Sequence, residues 1–155
     1  MLAYVFWHRP RDAADIAAYE GDLRSFHDAL DLTSGAFWLE RLPFGTGGGY
    51  EDWYLVDDWS ALGALNEVAV DARRRPSHDR VAGRAADGWG GVYELLRGEA
   101  RVPEGTEWFD KPRGEPTEEF VSSLPHPNVW RRLLVLGPAP EFCCGAAESA
   151  TRTRI

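Results

Sequence analysis

Lysine and cysteine are nearly missing from this chain: Lys111 is its one lysine, and Cys143 and Cys144 are its two cysteines. With a net charge of −8 the surface repels nucleic acid unless a basic face is segregated, and no run of Lys and Arg supplies one. Arg73, Arg74 and Arg75 form the one basic cluster, where a helix should end and its dipole favours positive charge. Adjacent cysteines make no disulfide framework, and the ring they would close is strained, so they read as small apolar residues near a strand end. No apolar run approaches the ~20 residues that span a bilayer. Leu2 to Trp7 is apolar but short, without basic residues before it or a small-residue cleavage site after it. It reads as a buried strand rather than a signal peptide. Nucleic acid and membrane are therefore not expected partners, and the cytoplasm is the expected location.

What is present is aromatic. Seven tryptophans are spread along 155 residues, enough area for an extensive core, an interface or a ligand cavity. Hydrophobic residues at 44% and charged residues at 27% are ordinary for a globular chain of this length.

The spacing predicts strands at Leu2–His8, Ala36–Leu42, Tyr50–Val56 and Gly91–Leu96. A helix from about Asp12 buries Ile16, Tyr19, Leu23, Phe26, His27 and Leu30, and Thr33-Ser34-Gly35 stops it. A second helix, capped by Asp57-Asp58, turns Trp59, Leu62, Leu65, Ala69 and Val70 inward. Pro76 interrupts it, and Ser77 caps a continuation through Val81, Ala82 and Ala85 to Asp87-Gly88. The order strand, helix, strand, strand, helix, strand predicts an α+β, ferredoxin-like βαββαβ unit over 1–100, with an antiparallel sheet in the order 4-1-3-2. Residues 101–155 form a C-terminal extension packed on the same unit or on a partner. Its stretch 102–127 reads as an irregular wrap with a turn of helix near Glu118–Val121, followed by a strand at Val129–Leu136. The tail after Gly145 is expected to fray, and no internal repeat is evident.

The first strand is apolar on both faces, and the third places Tyr50, Tyr54 and Val56 on one face and Trp53 and Leu55 on the other. Helices cover only one side of such a sheet, so the other needs a second cover. A twin sheet from a second molecule would provide it.

With this order, with YEDWYLVDDWSALGAL across the third strand and its helix, and with GGVYELLRG at the fourth strand, the chain resembles the dimeric α+β barrel superfamily. The resemblance covers about residues 2–100. It implies a homodimer through the sheet face. Members include cofactor-free monooxygenases, haem-degrading enzymes and dehydratase-like proteins, so it implies no single reaction.

The topology gathers His8, Glu40, Arg41, Glu51, Asp52, His78 and Asp79 at one end of the sheet, and leaves His27 at the other. Of these, His8 is the candidate general base, with Arg41, His78 and Asp79 as further catalytic candidates. Gly45, Gly47, Gly48 and Gly49 would form a flap. Tyr4, Phe6, Trp38, Trp53 and Tyr54 would line a small-molecule pocket between sheet and helices. The expected function is a small-molecule-binding dimer of the cofactor-free oxygenase or isomerase sort. The alternative is a non-catalytic binding or accessory dimer in which the aromatics only fill the core.

Thr46-Gly47-Gly48-Gly49 joins two strands and has no lysine, unlike a phosphate loop. His8, His78 and Asp79 lack helical ligand spacing, so no metal is expected, and His27 on an apolar stripe reads as core rather than haem ligand. No GxSxG elbow occurs. No cofactor is expected.

Overall fold

The computed structural model describes residues 1–12, 15–44, 47–136, 142–146 and 152–154. Its elements are β1 (Leu2–Pro10), α1 (Ile16–Ala29), β2 (Ser34–Leu39), β3 (Gly49–Val56), α2 (Trp59–Ala69), α3 (Arg75–Arg84), β4 (Ala85–Arg97), β5 (Gly105–Phe109), α4 (Thr117–Ser123), β6 (Val129–Leu136), β7 (Phe142–Ala146) and β8 (Arg152–Arg154). The fold is mixed α+β. One antiparallel sheet runs β5-β7-β6-β4-β1-β3-β2-β8.

Local chemistry explains the helices. Asp58 caps α2, its carboxylate accepting from the Ala61 N–H at 2.9 Å. The chain then breaks, and Pro76 sits in the first turn of α3, where its missing N–H costs nothing. Arg74 does not end its own helix, as its place in the sequence suggested. It lies at the start of α3 and donates to the Ala29 carbonyl at the end of α1, 2.8 Å away.

Three expectations need correction. The second helical stretch stops at Arg84, and β4 begins at Ala85, six residues earlier than the hydrophobic run suggested. Gly88 and Gly90 have no side chain, so that part of the strand carries no apolar signal; Phe6 and Tyr4 of β1 lie over it instead. The stretch 102–127 is less irregular than expected, holding β5 and a two-turn α4. The third correction concerns the cover on the sheet.

The second face is covered by the chain itself. Ala3, Val5, Trp7, Trp53 and Tyr93 pack there against Trp130 of β6, Cys143 of β7 and Trp108 of β5. Trp108 lies 4.9 Å, centroid to centroid, from Trp7 and 5.9 Å from Trp53, so the sheet curls until β5 faces β1 and β3. The connectivity shows how. β5, α4, β6 and β7 follow one another as β1, α1, β2 and β3 do, and β5-β7-β6 are neighbours in the pattern of β1-β3-β2. The last strand of each half then borders the second strand of the other, β4 on β6 and β8 on β2. A second molecule is not what buries this face.

All eight residues of β3 are buried. No described helix is long and apolar enough to cross a membrane. The start of the first helix at Ala13 and Ala14, Gly45 of the expected flap, and tail residues 147–151 lie outside the described residues; Arg152–Arg154 pair with β2.

Candidate functional site

Strand periodicity sends Leu2, Tyr4, Phe6 and His8 of β1, with Tyr50, Asp52 and Tyr54 of β3, toward the helices. The helices do not fill the space above them. A cavity of about 830 Å³ lies between α2, α3 and the sheet, floored by Tyr4, Phe6 and Val92 and roofed by Leu62, Leu65 and Ala69. Trp59, expected to point into the core, is 51% exposed at its rim. Glycine shapes the floor: a Cβ at Gly88 would stand 2.2 Å from the Phe6 ring.

The polar part of the cavity is concentrated on one side. His8 Nε2 lies 3.0 Å from Asp52 Oδ2, and Tyr19 Oη lies 2.5 Å from His8 Nδ1. The Tyr54 hydroxyl donates to the same Asp52 oxygen at 3.0 Å, and His27 Nε2 stands 3.5 Å from it. Asp52 Oδ1 is buried and takes no hydrogen bond from the described residues. Rings hold these groups in place, with His8 between Phe6 and Tyr50 and His27 stacked on Tyr54 at 5.0 Å.

The electrostatics follow from burial and pairing. Burial opposes the charge of Asp52, but His8 and His27 beside it outweigh that cost and hold its carboxyl below the usual range. Burial, then the Asp52 charge, pushes Tyr4 up to about 12 and raises Tyr19 and Tyr54 as well. All three phenols therefore stay neutral at ordinary pH. Since Asp52 is an acceptor, His8 Nε2 carries the proton between them, which leaves Nδ1 to accept from the Tyr19 hydroxyl when the ring holds a single proton. Tyrosine, histidine and aspartate thus form one directed chain.

The candidates inferred from sequence divide. His8, Tyr4, Phe6, Tyr54 and His78 line the cavity. Asp79 reaches it only through His78, 3.1 Å away, and is exposed. Arg41 is exposed and does not line the cavity. Trp53 faces the opposite side of the sheet, since β3 alternates, and Trp38 packs on Tyr50 outside the cavity. His27 was expected far from the group and instead touches Asp52 and Tyr54. Tyr19 was assigned only to the core. Its position on the apolar stripe, one helix away from His8, gave no sign of the hydrogen bond.

Glu51 also lies on the opposite face. Its carboxylate accepts from the indole N–H groups of Trp7 at 3.0 Å, Trp53 at 2.8 Å and Trp108 at 2.8 Å. It is fully buried and serves the core, joining β1 and β3 to β5. Among the described residues no cluster of three or more His, Cys, Asp and Glu is arranged to hold a metal ion.

No family model matches the chain, and no curated protein matches it. Among solved structures it is similar to that of an uncharacterized NIPSNAP domain protein from Burkholderia xenovorans. The likeness has 18% identity and a TM-score of 0.46, over 66% of this chain and 99% of the other. Likeness at that level says nothing of chemistry.

Proposed function

We propose that the cavity binds a neutral, largely apolar small molecule and that Tyr19, His8 and Asp52 move a proton to and from it, as an isomerase does. The observation that carries this reading is a roomy apolar cavity lined by a directed Tyr19–His8–Asp52 chain. No Lys or Arg lines the cavity among the described residues, so an anionic ligand finds no counter-ion there.

In this reading the Tyr19 oxygen takes a proton from the ligand as its own passes to His8 Nδ1. Asp52 stabilises the resulting imidazolium, and reversal of the two transfers delivers the proton to another ligand atom. The raised pKa of Tyr19 requires the two transfers to be coupled, since a free phenolate is costly in the cavity. Neutral ketones with acidic α-hydrogens, incubated with the protein in deuterium oxide, test it. Wild type should incorporate deuterium, and Tyr19→Phe should lower the rate by roughly 10²–10⁴-fold. Equal rates in the two proteins would end the proposal.

A second reading, a binding protein without chemistry, is favoured by the engagement of both His8 ring nitrogens in a side chain only 2% exposed. It predicts ligand binding with no exchange in either protein.

We also read the first hundred residues as a ferredoxin-like unit and the whole as a one-chain counterpart of the dimeric α+β barrel. The sequence β4-β1-β3-β2 within the sheet, and its echo in β5-β7-β6, support this. That reading no longer needs a homodimer through the sheet face.

A further inference from the structure

The polar chain does not end at Asp52. His27 Nε2 stands 3.5 Å from Asp52 Oδ2, and His27 Nδ1 lies 2.9 Å from the hydroxyl of Ser34. Both residues line a second pocket, of about 320 Å³, bordered by α1 and the start of β2. Its character is opposite. Arg24 and Asp28 line it beside His27 and Ser34, together with Gly35 and Ala36 of β2.

Two histidines thus flank one carboxylate oxygen, one turned toward the apolar cavity and the other toward a polar pocket. A core histidine needs one satisfied hydrogen bond, and His27 would have it from Ser34 alone. Its second contact, on the oxygen that also holds His8, connects the cavity to a separate opening.

We infer that Asp52, His27 and Ser34 form a proton conduit joining the His8 side of the cavity to water in the second pocket. The step balances atom by atom. The His8 imidazolium gives its Nε2 proton to Asp52 Oδ2, and that oxygen passes a proton to His27 Nε2. His27 Nδ1–H gives its proton to Ser34 Oγ, whose hydroxyl proton leaves to solvent water. Asp52, His27 and Ser34 end with the proton counts they started with, and His8 has lost the one that leaves to water. Both rings end in the opposite tautomer, which each must exchange before the next proton passes. The groups facing His27 are Asp52 and Tyr54 from β3, Ser34 from β2, and Arg24 and Asp28 on its own helix at the pocket. Such a route lets the apolar cavity stay closed by its ligand while protons equilibrate. The inference rests on the proton-transfer reading above, and makes His27 and Ser34 positioning residues rather than catalytic ones.

The test is the exchange of the His8 ring proton with water, followed by magnetisation transfer in protein labelled with nitrogen-15 histidine; loss of the signal in His8→Asn assigns it. His27→Phe keeps the stack on Tyr54 but removes the nitrogens. Ser34→Val closes the pocket with methyl groups, and Ser34→Thr restores the hydroxyl. The conduit predicts exchange slowed on the order of tenfold or more in His27→Phe and Ser34→Val, with Ser34→Thr near wild type. Unchanged exchange in a folded Ser34→Val protein would overturn the conduit while leaving ligand binding and Tyr19 chemistry standing. Deuterium incorporation lost in wild type, by contrast, would remove the function and not the route. A His8 ring proton with no protection from water in wild type would overturn it as well.

Discussion

Tyr19 on α1 and His8 on β1 meet through a hydrogen bond of 2.5 Å between the phenol oxygen and Nδ1. Both side chains are almost wholly buried, yet both line the cavity. The bond ties the first helix to the first strand, and it links the phenol through His8 to the Asp52 carboxylate.

Removing the phenol should therefore separate binding from chemistry. Tyr19→Phe keeps the ring that packs on His8 and Tyr50 and deletes only the oxygen. Affinity for a neutral apolar probe should stay within about threefold of wild type, while proton exchange into a ligand falls by the larger factor given above. Fluorescence titration of both proteins checks the first half.

Asp52→Asn should destabilise the fold by about 3–5 kcal/mol near neutral pH, because two histidines and a tyrosine lose a buried anion. The sign with pH follows from the lowered carboxyl. Its stabilising effect is complete above the unfolded value of 3.8 and is lost as pH falls through the lower folded one. Urea unfolding of both proteins across that range should show the gap closing in acid.

Glu51→Gln should cost about 2–3 kcal/mol, since a carboxylate meeting three indole N–H donors becomes an amide that offers one acceptor and a clashing donor. Ligand affinity should not change, because Glu51 faces away from the cavity. Tryptophan emission during denaturation gives the stability, and the titration above gives the affinity.

Charge should govern what the cavity accepts. N-phenyl-naphthylamine and its sulfonated analogue share a skeleton and differ by one anionic group. With no Lys or Arg among the described residues of the lining, the neutral compound should bind on the order of tenfold more tightly or better. Equal affinity would contradict a lining without a cationic side chain.

Much of the fold could be read from residue spacing. The strand at Val129–Leu136 and the capping by Asp58 stand where turn chemistry and periodicity put them, whereas the helix breaks over 70–74, ahead of Pro76, and Ser77 lies inside α3 rather than capping it. The burial of β3 on both faces was legible too, as Trp53 and Tyr54 alternate. What covers the second face was not. β5 is a short GTEWF among prolines and glycines, and its pairing with β7 depends on contacts some forty residues apart. Local pattern carries no such information, so a second molecule was invoked where the chain folds back on itself. The site divided in the same way. His8, Tyr4, Phe6 and Tyr54 were named as site candidates, but Trp53 was grouped with Tyr54 although strand alternation sends the two to opposite faces. Tyr19 and His27 were not among them, because a buried polar tip on a helix stripe looks like any other core residue until its partner strand is placed.

The central claim is that the space between α2, α3 and the sheet is a binding cavity, and a fluorescence titration with N-phenyl-naphthylamine tests it most directly. Wild type should bind the probe saturably at one site, and Ala69→Trp, which places an indole in the roof of the cavity, should abolish that binding while circular dichroism remains unchanged. Probe binding that is absent in wild type, or that persists in a folded Ala69→Trp protein, would contradict the account.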